Sequence, residues 1–261
     1  MTFEQYIANP MGKKNSVMNS MAREAMRTSY TNKFHNVLLK ENGKIDYYLY
    51  KDSKHNTYYA YIKIPSEVIK DFYYDTIIKF YADESIKELG LNFEKYYVQF
   101  FSNDPAFVFT YAHAFIENGL FIKEFAPKMS KEAIKQKAVE KNPNNENGYV
   151  KSIYFAYLFL KERGLMQKVR WGGAEEFNLK QVLVQITHAD EKIIARQEEE
   201  TKRDKRKKIV IDQNTERTIR KYGISDQASE RLVKTTDKVK GIRKVAAVNN
   251  TKKVGIVKRK K

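Results

Sequence analysis

Four runs of tyrosines and β-branched residues between Lys44 and Phe101 have the composition of β-strands. The first two, KIDYYLY and TYYAYIKI, flank the polar turn KDSKHN and predict a β-hairpin. Pro65 ends the second strand, because proline cannot donate a hydrogen bond to a neighbouring strand. The runs DFYYDTIIKFYA and KYYVQFF predict a third and a fourth strand. No long helical pattern separates the four runs, so they indicate an antiparallel sheet.

Tyrosines fall on both faces of nearly every predicted strand, and this leaves two interpretations of the sheet. In the first, helices cover one face and the remaining tyrosines are ordinary strand formers. In the second, an exposed aromatic face recognises a protein or stacks on nucleic-acid bases. Both are open because a tyrosine ring packs well while its hydroxyl group meets water or a polar partner.

The clearest helical pattern is SNDPAFVFTYAHAFIENG. Asp104 is suited to cap a helix that begins with Pro105, and Asn118-Gly119 is suited to end it. A second helix is predicted at residues 130–139, and a third at residues 149–163. The third is apolar nearly all round, so we expect it to be the most buried helix.

One last long helix is predicted to begin at Asn178, which forms a capping-box pattern with Gln181. Its apolar stripe consists of Leu179, Val182, Leu183, Ile186, Ala189 and Ile193. The stripe ends after Ile194, and the segment RQEEETKRDKRKK that follows can extend the helix only through charge pairs on its surface.

These patterns predict an α+β fold, in which a small tyrosine-rich antiparallel sheet is packed by three to four helices. We expect an N-terminal arm at residues 1–33, an α+β body at 34–200 and a long basic extension at 201–261. The arm, with at most a short helix near residues 20–27, is either a mobile terminus or docks onto its own body or a neighbouring subunit. The extension has too few large apolar residues for a core, so we expect it to be disordered in isolation apart from a short helix compatible with residues 225–240.

The formal net charge of +17 is concentrated in this extension. Residues 201–261 contain 21 Lys and Arg against 6 Asp and Glu, whereas residues 1–200 contain 28 against 26. A nearly neutral body with a basic tail indicates a scaffold that carries a segment for binding a polyanion. The alternatives are a solvated tail that aids solubility, or an acidic protein surface as the partner. The predicted nucleic-acid-binding residues are Lys202, Arg203, Lys205, Arg206, Lys207, Lys208, Lys258, Arg259, Lys260 and Lys261.

Several kinds of chemistry have no support in the sequence. The chain has no cysteine, which excludes disulfides, thiolate catalysis and Cys-ligated zinc. Neither a phosphate-binding glycine loop nor an HExxH metal motif occurs. The longest apolar run, IYFAYLFL, is too short to span a bilayer, and the start MTFEQYIANPMGKKN has no secretory-signal pattern. We therefore predict a non-enzymatic protein with no catalytic residue, no metal, no cofactor and no membrane partner.

The segments NPMGKKN, KIDYYLY…YYAYIKIPSEV and FFSNDPAFVFTYAHAF resemble uncharacterised proteins of tailed double-stranded DNA phages with AT-rich genomes, crAss-like phages among them. The resemblance covers about residues 1–200 and carries no assigned site residue. It implies a virion component such as a capsid-associated, neck or tail subunit, present in many copies and touching packaged DNA or other virion subunits. The implied location is the virion, assembled in the host cytoplasm.

The function expected from the sequence is thus a non-enzymatic phage structural or assembly protein that forms a homo-oligomer. Its basic tail would contact nucleic acid, DNA in the first place, or an acidic neighbouring subunit. The alternative is a soluble DNA- or RNA-binding protein of phage replication or regulation, whose strand tyrosines stack on bases while the tail holds phosphates.

Overall fold

The computed structural model describes residues 1–10, 20–82 and 90–222. In these residues the fold is α+β, as predicted, with seven α-helices and a five-stranded sheet. The helices are α1 (Phe3–Ala8), α2 (Ser20–Lys40), α3 (Ala112–Glu117), α4 (Lys131–Lys135), α5 (Lys151–Glu162), α6 (Leu179–Gln185) and α7 (Ala189–Tyr222). The strands are β1 (Tyr47–Asp52), β2 (Thr57–Pro65), β3 (Tyr73–Tyr81), β4 (Tyr97–Ser102) and β5 (Glu175–Glu176). The chain divides into two compact units, Met1–Glu200 and Thr201–Lys261.

The sheet has the strand order β4-β3-β2-β1-β5. The four predicted strands pair in antiparallel fashion with their sequence neighbours, as expected. In the β1–β2 turn the Asp52 carboxylate accepts hydrogen bonds from the amides of Lys54 and His55, and Asn56 adopts a positive φ of 49°. The sequence analysis did not predict β5, a two-residue strand that pairs parallel to β1 and makes the sheet mixed.

Both faces of the sheet are covered. On one face the ring of Phe3 lies 5.6 Å from Phe80 and 5.3 Å from Tyr157 of α5. On the other face Phe177 stacks on Tyr59 with a centroid separation of 3.8 Å. Among the described strand tyrosines only Tyr47 and Tyr48, at the start of β1, are exposed. The described strands therefore carry no open aromatic face.

The first residues of the chain pack onto the body rather than extending from it. Phe3 and Tyr6 are fully buried, and the Phe3 amide donates to the carbonyl of Tyr96 over 2.9 Å. The hydroxyl of Tyr6 donates to the carbonyl of Gly148 over 2.9 Å. Residues 1–10 therefore dock onto the body of their own chain, which is one of the alternatives expected for the N-terminal arm. Together with residues 120–122 they hydrogen-bond to the outer edge of β4.

Helix α2 is longer than the short helix predicted near residues 20–27. Its second half is held by Phe34 and Val37, which are buried, and the ring of Phe34 lies 5.5 Å from Phe155 of α5. The expected boundary between arm and body at residue 33 therefore falls inside a continuous helix.

The helix predicted from Pro105 to Asn118 is present in an altered form. Asp104 caps it as expected, since its carboxylate accepts from the Ala106 amide over 2.9 Å. The first part, Phe107–Tyr111, is a π-helical turn, and only then does α3 begin. Helix α4 is shorter than the predicted 130–139, whereas α5 matches its prediction and buries every residue from Ser152 to Leu160.

Candidate functional site

The predicted nucleic-acid-binding residues of the segment Lys202 to Lys208 all lie in α7, a helix of 34 residues. The side chains of Thr201 to Lys207 are exposed. The predicted site residues Lys258, Arg259, Lys260 and Lys261, and the helix expected at 225–240, lie outside the described residues. The candidate site in the described part of the chain is therefore the basic run of α7.

Helix α7 is separate from the helix that precedes it, so the prediction of one long helix from Asn178 is wrong. Asn178 does cap α6, accepting from the amides of Lys180 and Gln181 over 3.1 and 3.3 Å. The helix then stops at Ile186, whose backbone is extended with φ −88° and ψ 128°. A new helix starts at Ala189, with the His188 ring nitrogen Nδ1 accepting from the Asp190 amide over 3.2 Å.

A buried carboxylate on the central sheet holds this break in place. Asp75 of β3 accepts from the Thr187 amide over 3.1 Å, from Asn103 Nδ2 over 2.8 Å and from the Tyr61 hydroxyl over 2.7 Å. Asn103 Nδ2 also donates to the Thr187 carbonyl over 3.1 Å. Continuing the helix through Thr187 would remove its amide from Asp75 and leave a buried carboxylate one donor short, which is costly.

The Tyr61 hydroxyl remains a donor in this network over the physiological pH range. Burial raises the pKa of Tyr61 well above its usual value, and the negative charge of Asp75 raises it further. Tyr61, Asp75 and Asn103 come from three different strands or strand ends, so no local motif marks them. The only signal in the sequence is a single acidic residue inside the largely apolar and aromatic run FYYDTIIKF.

The first turns of α7 are attached to the body by further contacts. Ala189 and Ile193 are buried. The ammonium group of Lys192 lies 4.5 Å from the centroid of the Phe72 ring, and desolvation lowers the pKa of Lys192 while Asp75 opposes that effect. Arg196 donates from its guanidinium to the Tyr74 hydroxyl over 3.0 Å. The part of α7 within residues 189–200 is therefore fixed by hydrogen bonds, a cation–π contact and apolar burial.

Beyond Glu200 the helix is rich in cations. Residues 201–222 contain nine Lys and Arg against three Asp and Glu. At about 1.5 Å per residue this segment is roughly 33 Å long. The pair Lys207–Asp204, with 4.0 Å between Nζ and Oδ1, is a weak exposed contact that leaves the run strongly positive. An exposed helix of this charge can neutralise phosphate groups without any base-specific contact.

Two further histidines of the described residues, His113 and His188, contact other protein groups. His113 Nδ1 lies 3.3 Å from Asn145 Oδ1 and 3.8 Å from a carboxylate oxygen of Glu117, at a small cleft of about 150 Å³ beside the π-helical turn. His188 serves as the helix cap described above. No group of three or more His, Asp or Glu side chains in residues 1–10, 20–82 and 90–222 is placed to hold a metal ion.

None of the helices that the structure describes combines the length and apolar character needed to cross a membrane. Among the glycines that the structure describes, Gly148 is the one at which an added Cβ atom would lie closer than 3.0 Å to another atom. The Cβ would be 2.3 Å from a ring carbon of Tyr111, so the close packing beside the π-helical turn favours glycine here.

Comparison of the chain with known protein families, with curated proteins and with solved structures finds no match in any of the three.

Proposed function

We propose that this protein is a non-enzymatic structural or assembly protein of a phage particle, and that the basic run of α7 contacts nucleic acid. In this proposal the α+β body is a scaffold that forms homo-oligomeric and other subunit contacts in the virion, as a capsid-associated, neck or tail subunit. Assembly takes place in the host cytoplasm. The phage setting rests on the resemblance of residues 1–200 to phage proteins, and the nucleic-acid contact rests on the charge and position of α7.

One observation carries the nucleic-acid contact. Helix α7, whose first turns contact the body through Lys192 and Arg196, continues into a run of exposed cations. Residues 201–207 are all exposed and include five cations on a regular helix, which is a density of positive charge suited to neutralising phosphate groups.

The alternative, a soluble regulatory protein that stacks bases on its strand tyrosines, is less well supported. Tyr59 is covered by Phe177, and Tyr61 is fully buried and donates to Asp75. Base stacking requires an exposed ring face, and these side chains offer none. An acidic neighbouring subunit as the partner of α7 would be recognised by the same charges, so binding to DNA has to be measured directly.

The test uses the full-length chain in two variants that each remove six positive charges. In the first, the basic run of α7 is neutralised by Lys202→Gln, Arg203→Gln, Lys205→Gln, Arg206→Gln, Lys207→Gln and Lys208→Gln. In the control, six exposed lysines of the body are neutralised by Lys44→Gln, Lys54→Gln, Lys123→Gln, Lys131→Gln, Lys135→Gln and Lys141→Gln. Binding to a fluorescent DNA duplex is measured by anisotropy over a series of salt concentrations.

If all six cations contact phosphates, the plot of log K against log salt concentration should be less steep by about 5 in the α7 variant. Its steepness should change little in the control. Between about 50 and 200 mM salt those contacts account for roughly a 10³-fold change in affinity. Equal slopes in the two variants would refute a specific role of α7. The phage setting is tested separately by mass spectrometry of purified particles, and absence of the chain from them would refute a virion role.

A further inference from the structure

The proposed contact with nucleic acid, on which this inference rests, does not specify which form of nucleic acid α7 binds. We propose that α7 binds double-stranded DNA along one face of the helix, independently of base sequence and in preference to single-stranded DNA.

The cations of the basic run are unevenly distributed around the helix. At about 100° per residue, five of the six cations, at positions 202, 203, 205, 206 and 207, cover roughly 200° of the circumference, and the sixth, at position 208, lies outside that arc. Position 204, which carries Asp204, lies about 160° around the helix from position 206. The basic run Lys202 to Lys208 therefore has a cationic face centred near Arg206, with Asp204 and Lys208 at positions on the opposite side.

The dimensions of this face match duplex DNA. An α-helix with side chains is about 10–12 Å across, and the major groove of B-DNA is about 12 Å wide. A helix in the groove brings cations at the centre and both margins of its face within reach of the phosphates on either side. Glu198, Glu199 and Glu200 carry the same sign as phosphate, so the contact begins at Lys202.

The basic run lacks the aromatic rings that a single strand would need for base stacking on α7. Proteins that bind single strands combine cations with aromatic rings on which bases stack. No Phe, Tyr or Trp occurs between Ala189 and Lys221, and the strand tyrosines Tyr59 and Tyr61 are buried. Binding must then come from phosphate neutralisation, which releases about 0.9 counterions per contact from duplex DNA and about 0.7 from a single strand. For five contacts in 0.1 M salt this difference favours the duplex about tenfold.

Two matched pairs of full-length variants test whether a folded helix face makes the contact. Arg206→Gln removes a charge from the centre of the face, and Lys208→Gln removes one from a position about 160° away around the helix. Lys205→Pro interrupts the helix, whereas Lys205→Ala removes the same charge and keeps it. Each variant is titrated with a mixed-sequence duplex and with one of its single strands of the same length.

We expect the unmodified chain to bind the duplex about tenfold more tightly than the single strand. Arg206→Gln should lower the steepness of log K against log salt concentration by about 1, whereas Lys208→Gln should leave it unchanged. Lys205→Pro should weaken duplex binding more than Lys205→Ala. Equal affinity for both probes, or equal effects within both pairs, overturns this inference while leaving the proposed contact with nucleic acid intact. Binding of neither probe by the unmodified chain overturns the proposed contact itself.

Discussion

The buried carboxylate of Asp75 should be the most consequential single side chain for the junction between the body and α7. Asp75→Ala removes the acceptor shared by the Tyr61 hydroxyl, Asn103 Nδ2 and the Thr187 amide. Without Asp75, the Tyr61 hydroxyl can still donate to the Gln185 carbonyl over 3.4 Å, and Asn103 Nδ2 can still donate to the Thr187 carbonyl over 3.1 Å. The Thr187 amide is left without an acceptor. A buried donor without a partner costs about 1–3 kcal/mol, so we expect a loss of about 3 kcal/mol in the free energy of unfolding.

The conservative change Asp75→Asn should cost much less, about 1 kcal/mol. The amide oxygen can still accept from Asn103 and Thr187, and its NH₂ group can donate to the Tyr61 hydroxyl, which then donates to the Gln185 carbonyl. The comparison separates hydrogen bonding at this site from the negative charge of the carboxylate.

Urea unfolding followed by the fluorescence of Trp171, the only tryptophan, measures these differences. For a chain of this size a loss of 3 kcal/mol corresponds to a fall of about 6–12 °C in Tm. The exposed Asp46 supplies the control, since Asp46→Ala should change stability by less than about 0.5 kcal/mol. If Asp75→Ala behaved like that control, or if Asp75→Asn were as damaging as Asp75→Ala, the hydrogen-bond account would be refuted. Faster hydrogen exchange at the Thr187 amide should accompany the loss of stability.

Three further outcomes are expected from the packing of the body. Phe3→Ala should destabilise the protein by about 3–5 kcal/mol in the same unfolding assay, because this ring is fully buried at the chain's start. Gly148→Ala should cost about 1–3 kcal/mol, since the new methyl group overlaps the Tyr111 ring. Burial raises the pKa of Tyr30 to about 12, above its unfolded value of about 10, so stability should fall as pH rises from 10 towards 12, and Tyr30→Phe should reduce that fall in alkaline denaturation.

Two of these have a control in the same chain. Glu4 is exposed beside Phe3, and Glu4→Ala, which removes a surface ion pair with Lys95, should change stability little. A Cβ at Gly173 meets nothing within 4 Å, so Gly173→Ala should be close to neutral. A Phe3→Ala variant as stable as Glu4→Ala would mean that the N-terminal segment does not dock in solution.

The elements that sequence patterns predicted best are those whose causes are local. The β1–β2 hairpin follows from two aromatic runs around a polar turn, and α5 follows from a continuous apolar run that no exposed helix could carry. The Asp104 cap and the Asn178 cap are likewise present, because a cap depends on residues two or three positions away.

The elements that were missed depend on distant partners. Helix α1 has only six residues and would not be stable alone, yet it forms because Phe3 and Tyr6 enter the core. Strand β5 has no strand pattern at all and exists because Glu175 and Glu176 lie beside β1. The break between α6 and α7 interrupts a continuous apolar stripe because a carboxylate more than a hundred residues earlier in the chain requires the Thr187 amide.

The sequence by itself determined the α+β class, the four antiparallel strands and the segregation of charge into residues 201–261, since each follows from local composition and periodicity. Only the tertiary structure decided that both faces of the tyrosine-rich sheet are covered, and that α7 begins at a buried hydrogen-bond network around Asp75. The physical reason is that burial and hydrogen-bond satisfaction depend on which distant segments meet. A basic run has the same composition whether or not it is helical, and the structure places this one in α7, whose residues Lys192 and Arg196 contact the body.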